Sequence, residues 1–435
     1  MPELNDTCRR TMLFGWSVIA AFYGLNLYFS LNGDINNPIV HPAVPVVKDL
    51  LWLLVLTSML SISWRNPEEH KGIYLLLFGL AILHILFALG VVAIFAFKYF
   101  TLYEYNYLRF VKNMLLYTAL AYVFAVAIYR RGMHHYFLRI TFYCITASLL
   151  VAVMLHFTVE SLYNPTDLRM FGTYGNPNSV GFMALLNIAL AYVFGNRNSH
   201  SPALARSIIY LALVGSFAAL MLSASISALL ATALYLVGVR FTYQYFGITP
   251  ALTRIPVIKA LLLGVSVVTA LSLLSEISVS LVSRVDSLPL GGTPVSVSVR
   301  AHDYAAIWGN STSVLSVLFG SMPSRYVQFD ASLLTYYFHF GVTGLLVLSL
   351  PFMVVLWNAL SLKGIAESEL GASNAQLVAY LVPALLILFV VNIPLQYQYQ
   401  VFPTNYFYSV ITGLMIIVCG KVSFSSVRDL LSTGK

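Results

Sequence analysis

Three groups of residues in this chain have the types and spacing that chemistry needs. The first is Arg169-Met-Phe-Gly-Thr-Tyr174-Gly-Asn176-Pro-Asn178-Ser-Val-Gly181. A guanidinium presents a planar fork that matches phosphate oxygens in pairs, and its charge does not titrate away. The glycine-rich turn after Arg169 runs straight into an apolar stretch at Ser179. That arrangement sets free backbone N–H groups and a helix N-terminus near the arginine, a ready anion site. Asn176 and Asn178 add amide donors and acceptors, and either suits the cap of that helix. The plainer alternative is a turn plus cap, with Arg169 reaching out to lipid headgroups.

The second group is Arg300-Ala-His302-Asp303-Tyr-Ala-Ala-Ile-Trp308. The tryptophan suits the anchor of a short interfacial helix that would carry Arg300; otherwise Arg300 is a surface-loop charge. Arg284 and Arg325 lie in the same polar segment. With Arg169 they would make a basic cavity for a polyanionic headgroup, unless each is simply solvated. The third group opens at Asp330 and runs through Tyr336 and His339 to Gly341-Val-Thr-Gly344. A carboxylate at the mouth of a helix, near arginines, can accept a proton from a hydroxyl, or it can cap the helix. Asp303 and His302 are competing bases. His339, inside the apolar run, reads as a packed core histidine.

The elements that must position these groups are membrane helices. The 435-residue chain is 59% hydrophobic and 9% charged, where a soluble protein carries about 25% charged residues. Apolar runs of roughly 20 residues, long enough to cross a bilayer core as helices, recur from end to end. Alternating strands of the β-barrel kind are absent. The expected fold is all-α and polytopic, with about twelve spans: Thr11–Leu31, Val44–Ser63, Gly72–Phe97, Asn113–Tyr129, Arg139–Val159, Ser179–Gly195, Arg206–Leu222, Ser225–Val239, Lys259–Val282, Leu334–Trp357, Gln376–Ile393 and Asn405–Gly420. The whole chain, 1–435, reads as a single integral membrane domain. Glu3 and Asp6 dilute the positive charge a cleavable signal needs, so the first run is expected to be a retained span.

Orientation follows from the basic residues. With the N-terminus inside, two thirds of the 24 Lys and Arg fall on the inner side, which puts both termini in the cytoplasm. Two outer loops then stand out: 160–178, with the Arg169 motif, and 283–333, with Arg300 and Asp330. Loops as long as the second are usually functional or disordered. Trp308, Leu315, Leu318 and Phe319 have near-helical spacing, so this one is expected to be partly helical and to fold back on the membrane surface. The turn Ser223-Ala-Ser225-Ile-Ser227 separates two helices; merging them would invert everything downstream.

Other chemistries lack their residues. Cys8, Cys144 and Cys419 give neither a disulfide framework nor metal spacing. No His, Cys or carboxylate cluster has metal-ligand spacing, so no metal and no cofactor are expected. There is no Walker-type or Rossmann fingerprint. The outer loops lack the paired acidic motif of metal-dependent glycosyltransferases. Basic residues mostly track the inner membrane face, which argues against nucleic acid as a partner.

Taken in order, these motifs resemble the O-antigen polymerase and O-antigen ligase superfamily of bacterial inner-membrane glycosyltransferases. The pattern is an arginine followed by Gly…Gly-Asn-Pro-Asn…Gly entering a helix (Arg169, Gly172, Gly175, Asn176, Pro177, Asn178, Gly181). A serine-rich hairpin follows (Ser223, Ser225, Ser227), then a long periplasmic loop with an arginine before a tryptophan (Arg300, Trp308). A polar residue and Gly-x-x-Gly close it (Asp330, Gly341, Gly344). Two positions depart from the pattern. Ligases usually carry His where this chain has Asp330, which favours the polymerase branch. Many members carry an arginine after the serines, where this chain has Ala228.

The resemblance implies a GT-C-like, metal-independent enzyme of the inner membrane with its active site facing the periplasm. The growing glycan would move from undecaprenyl diphosphate onto a hydroxyl of an incoming undecaprenyl-diphosphate-linked repeat unit. Arg169 and Arg300 would face the diphosphate, with Arg284, Arg325, Asn176 and Asn178 around it. Asp330 would be the base. Tyr174 and Tyr336 are candidates to stack on sugar rings, although interfacial belting explains most tyrosines near a membrane face. Membrane lipids, a chain-length regulator and a flippase are the implied partners. The nearest rival is the ligase, with lipid A core as acceptor. A lipid-linked oligosaccharide transporter is a second rival, but it predicts mid-membrane charges and inverted repeats, and neither is evident here.

Overall fold

The computed structural model describes residues 71–99, 105–158, 177–197, 203–223, 225–246, 313–321, 332–362, 372–392 and 404–433, with isolated residues elsewhere. Among these the fold is all-helical, with no strand. Six helical stretches are long and apolar enough to cross a membrane: Gly72–Tyr99, Phe110–Arg130, His134–Met154, Asn178–Gly195, Leu333–Leu360 and Ser373–Val391. Three shorter apolar ones are Ser207–Ser223, Ser227–Thr242 and Tyr406–Gly420. These coincide with nine of the expected spans. The other three, Thr11–Leu31, Val44–Ser63 and Lys259–Val282, lie almost wholly outside the described residues.

In chain order, α1 is Lys71–Tyr99, α2 is Tyr105–Asn113, and a π-helical stretch, Met114–Ala119, joins it to α3, Leu120–Arg130. Then come α4, His134–Thr158; α5, Pro177–Arg197; α6, Ala203–Ser223; and α7, Ile226–Phe246. After these are the short α8, Val314–Phe319, and α9, Ser332–Leu360. The last two are α10, Ala372–Ile387, continued by a π-helical stretch to Asn392, and α11, Thr404–Thr433. The chain forms two compact units. One takes in residues 127–284 and 366–384, the other 68–126, 285–365 and 385–435.

The first unit is built around α5. Its residues from Ser179 to Phe194 are all buried. In the middle of this run the amide of Asn187 lies at the centre of a three-helix network. Asn187 Nδ2 donates to Thr146 Oγ1 of α4 at 3.1 Å and to Ser216 Oγ of α6 at 3.0 Å. Ser216 in turn donates to the Ala212 carbonyl at 2.7 Å. Hydrophobicity cannot drive association between helices in lipid, so polar links and close packing do that work. Close packing is visible at Gly215, where an added Cβ would stand 2.7 Å from Leu150. Tyr192 of α5 also stacks on Tyr380 of α10, ring centroids 5.3 Å apart.

The second unit holds α1, α2, most of α3, α8, α9 and α11. Its centre is aromatic: Phe110 packs against Tyr336 and Phe340, and Phe87 meets Phe340 edge-on. Helix α9 breaks at Gly341, whose φ of 61° and ψ of −153° no helix residue adopts. The break accepts the end of α8. Gly320, also at positive φ, lies against the His339 and Phe340 backbone, and an added Cβ at Gly341 would stand 2.5 Å from Val317 O. Only glycines allow backbones so close, in these conformations. The carbonyl of Phe338 accepts the Ser321 N–H at 2.8 Å and the Ser321 hydroxyl at 2.9 Å. Thr343 Oγ1 donates to Leu318 O at 2.8 Å. These bonds give polar backbone at a broken membrane helix partners within the protein, as lipid requires.

Helix α8 realises part of the helical tendency expected of the 283–333 loop. Ser313 caps it, accepting from the Ser316 N–H while Ser316 Oγ answers the Ser313 N–H. Its Val314, Leu315, Leu318 and Phe319 are all exposed. Lys98, at the end of α1, donates to Ser321 O at 2.7 Å, which fixes this segment beside the end of a membrane-length helix.

Candidate functional site

Of the residues singled out for chemistry, Arg169, Tyr174, Asn176, Arg284, Arg300, His302, Asp303, Arg325 and Asp330 lie outside the described residues. Asn178, Tyr336, the serine turn and the Gly341–Gly344 segment are described.

Helix α5 begins at Pro177, two residues before the expected Ser179. Proline suits that first position, since its φ is preset and its missing N–H has no helical partner to lose. Asn178 is therefore the second helical residue and not the cap, and it is half-buried. One turn on, Gly181 meets the serine turn. An added Cβ at Gly181 would lie 2.5 Å from Ala228 Cβ, 3.2 Å from Ser223 Oγ and 3.5 Å from Ser225 Cβ. Two motifs more than forty residues apart in sequence are thus packed together. Glycine at 181 is what lets α5 approach the turn between α6 and α7.

The serines of that turn are engaged in building it. Ser223 Oγ donates to Leu220 O at 2.7 Å. Ser225 Oγ accepts the Ala228 N–H at 3.3 Å and lies 3.2 Å from Ser227 Oγ, which makes Ser225 the N-cap of α7. Ala228 is fully buried against Gly181. A longer side chain at 228 would have to displace α5. Sequence reasoning recognised the turn as the separator of two helices. It missed that the turn is the seat of the Gly-Asn-Pro-Asn helix, although small residues at 181 and 228 were the available signal.

Tyr336, a candidate to stack on a sugar ring, is buried in the second unit. It is 2% exposed, with ring edges and faces against Phe110 and Phe340. The physical reason is its place on the inner side of α9, just ahead of the Gly341 break. His339 is packed, as expected: it is fully buried, and its Nδ1 is 2.8 Å from the Tyr107 hydroxyl. Gly344 packs on Phe340 and the Tyr336 carbonyl. The Gly-x-x-Gly motif therefore shapes the α9 break and its close packing. Among the described residues no group of three His, Cys, Asp or Glu side chains is arranged to hold a metal.

The chain matches no protein-family model, and no curated protein matches it.

Proposed function

We propose that this membrane protein is an O-antigen or related polysaccharide polymerase of the bacterial inner membrane, with a GT-C-like architecture of about twelve spans. The observation that carries the reading is the Gly181 contact. Pro177 and Asn178 open the most enclosed of the described membrane-length helices, and Gly181 in its first turns packs on the serine hairpin, so two pieces of the sequence pattern meet in the fold. The order of the remaining motifs, Arg300 with Trp308 and then Asp330 with Gly341 and Gly344, supports it further.

In this reading the bond between the anomeric carbon of the growing glycan and its diphosphate oxygen breaks. A hydroxyl oxygen of the incoming lipid-linked repeat unit forms the new glycosidic bond, and its proton passes to Asp330. Negative charge develops on the departing diphosphate. Fixed cations in a poorly hydrated site stabilise such charge strongly, and Arg169 and Arg300 are those cations. Apolar helix surface, such as the exposed face of α1, suits the polyprenyl tails.

The test is a gene deletion followed by analysis of lipopolysaccharide. Loss of a polymerase leaves single repeats on lipid A, whereas loss of a ligase leaves none there. Complementation then assigns roles. Arg169→Ala and Arg300→Ala each abolish chain extension while the protein stays in the membrane. Asp330→Asn lowers turnover more than donor binding. Normal long chains from an arginine variant remove that residue from the mechanism. Full activity of Asp330→Asn transfers the base role to Asp303 or His302.

A further inference from the structure

The turn joining α3 to α4 carries chemistry that the polymerase reading does not use. It links two membrane-length stretches, Phe110–Arg130 and His134–Met154, so it lies at a membrane face. Its backbone is tightly specified. Gly132, at a φ of 64°, donates to Tyr129 O at 2.8 Å, and Met133 N donates to Ile128 O at 2.9 Å. These two bonds close a helix C-terminus around a left-handed glycine. They fix Arg130, the last residue of α3, and Arg131 just beyond it, where the partial negative charge of the helix end also favours cations.

The turn and the helix after it carry several residue types that bind phosphate. Tyr129 stacks on His134 at 4.6 Å, and His134 lies 4.3 Å from His135, ring to ring. His135 Nε2 shares a 2.6 Å hydrogen bond with Ser373 Oγ near the start of α10. Arg139, one turn into α4, has its guanidinium 5.8 Å from the Phe194 ring centroid. Arg131 is the telling member. Its Nη2 is buried, yet it has no hydrogen-bond partner. A buried guanidinium nitrogen without an acceptor is costly. The described parts of α2 to α7 and α10 contain no Asp or Glu that could serve it. Gln376, one turn along α10 from Ser373, likewise leaves a buried side-chain oxygen without a partner.

We propose that the Arg131 turn is a binding site for a phosphate group, carried by an anionic phospholipid of the leaflet it faces. Arginine forks match phosphate oxygens in pairs, and basic pockets between membrane helices at a membrane face hold anionic headgroups in this way. Among the carboxylates outside the described residues, Glu367 and Glu369 stand nearest to α10 in sequence.

The experiment uses the full chain purified in a neutral detergent. It is titrated with phosphatidylglycerol, with phosphatidylcholine, or with inorganic phosphate. The readouts are the thermal unfolding midpoint and the lipid retained in native mass spectrometry. Phosphatidylglycerol is retained and raises the midpoint, while the other two do neither. Arg131→Gln weakens phosphatidylglycerol binding roughly tenfold, as loss of a charge-assisted hydrogen bond should, and Arg131→Lys weakens it less. Arg240→Gln, which removes an exposed cation at the end of α7, leaves binding unchanged, and so does Glu367→Gln with Glu369→Gln. Equal weakening by Arg240→Gln overturns the site in favour of bulk charge. Displacement by inorganic phosphate at matched concentration overturns the lipid assignment. Wild-type retention by Arg131→Gln overturns the role of Arg131. If Arg131→Gln does not fold, His135→Gln is read by the same criteria.

Discussion

Helices α5 and α1 look alike as sequences. Both are long, apolar and free of acidic residues. Their surroundings are opposite: 89% of the apolar stretch of α5 is buried, against 33% for α1. Helix α1 turns Leu75, Ile82, Leu86, Leu89, Ile94 and Phe97 outward. Helix α5 instead carries Gly181, several alanines and one central amide, and its neighbours close on all of them. In a membrane, apolar character does not decide which helix is enclosed, because lipid is as apolar as leucine. Small residues and a buried polar link decide it. The Arg169–Gly181 motif therefore precedes a rigid, protein-wrapped helix, the kind of scaffold that holds charged groups in fixed positions.

The same substitution on the two helices tests this directly. Gly181→Ala puts a methyl group 2.5 Å from Ala228 Cβ, and overpacking of this kind costs about 2 kcal/mol. A marked fall in the thermal midpoint of the purified protein is expected and, under the proposed function, reduced chain extension as the α6–α7 turn shifts. Asn187→Leu comes next. It removes the bonds to Thr146 and Ser216, a loss of about 1 kcal/mol by the measured range for such links in membranes. A smaller midpoint shift with Thr146→Val present already would show that the amide acts through that partner. Gly90→Ala in α1 has the smallest effect. An added Cβ there meets nothing within 4 Å, so the change is within about 0.5 kcal/mol or slightly stabilising through helix propensity. If Gly90→Ala and Gly181→Ala lower the midpoint equally, enclosure is not what separates the two helices.

Helix positions were legible because their signals are local. Gly72–Phe97 was expected and α1 runs Lys71–Tyr99; Ser179 was the expected start of the next motif-bearing span and α5 begins at Pro177. Enclosure was not legible, because it depends on which helices pack together, and one chain's periodicity is silent on that. The break in α9 was hidden for the same reason. Gly341 was recognisable as part of Gly-x-x-Gly, but its positive φ goes with the docking of α8, a contact from more than twenty residues away. Tyr336 shows the limit for the candidate site. A tyrosine near a helix entrance has the same apolar body whether it faces a ligand or a neighbour, and only packing tells the two apart. The serine turn was recognised by composition, while its role as the seat of Gly181 came from the fold.

The bonds between Ser321 and Phe338 have an entropic consequence. They pin Ser321 and Phe338, seventeen residues apart in sequence, to each other and so close a ring of chain. Closing a loop costs free energy that grows only with the logarithm of its length, about 0.6 kcal/mol per doubling. The clasp at Gly320, Ser321 and Gly341 therefore has to supply that closing free energy before it adds any net stability.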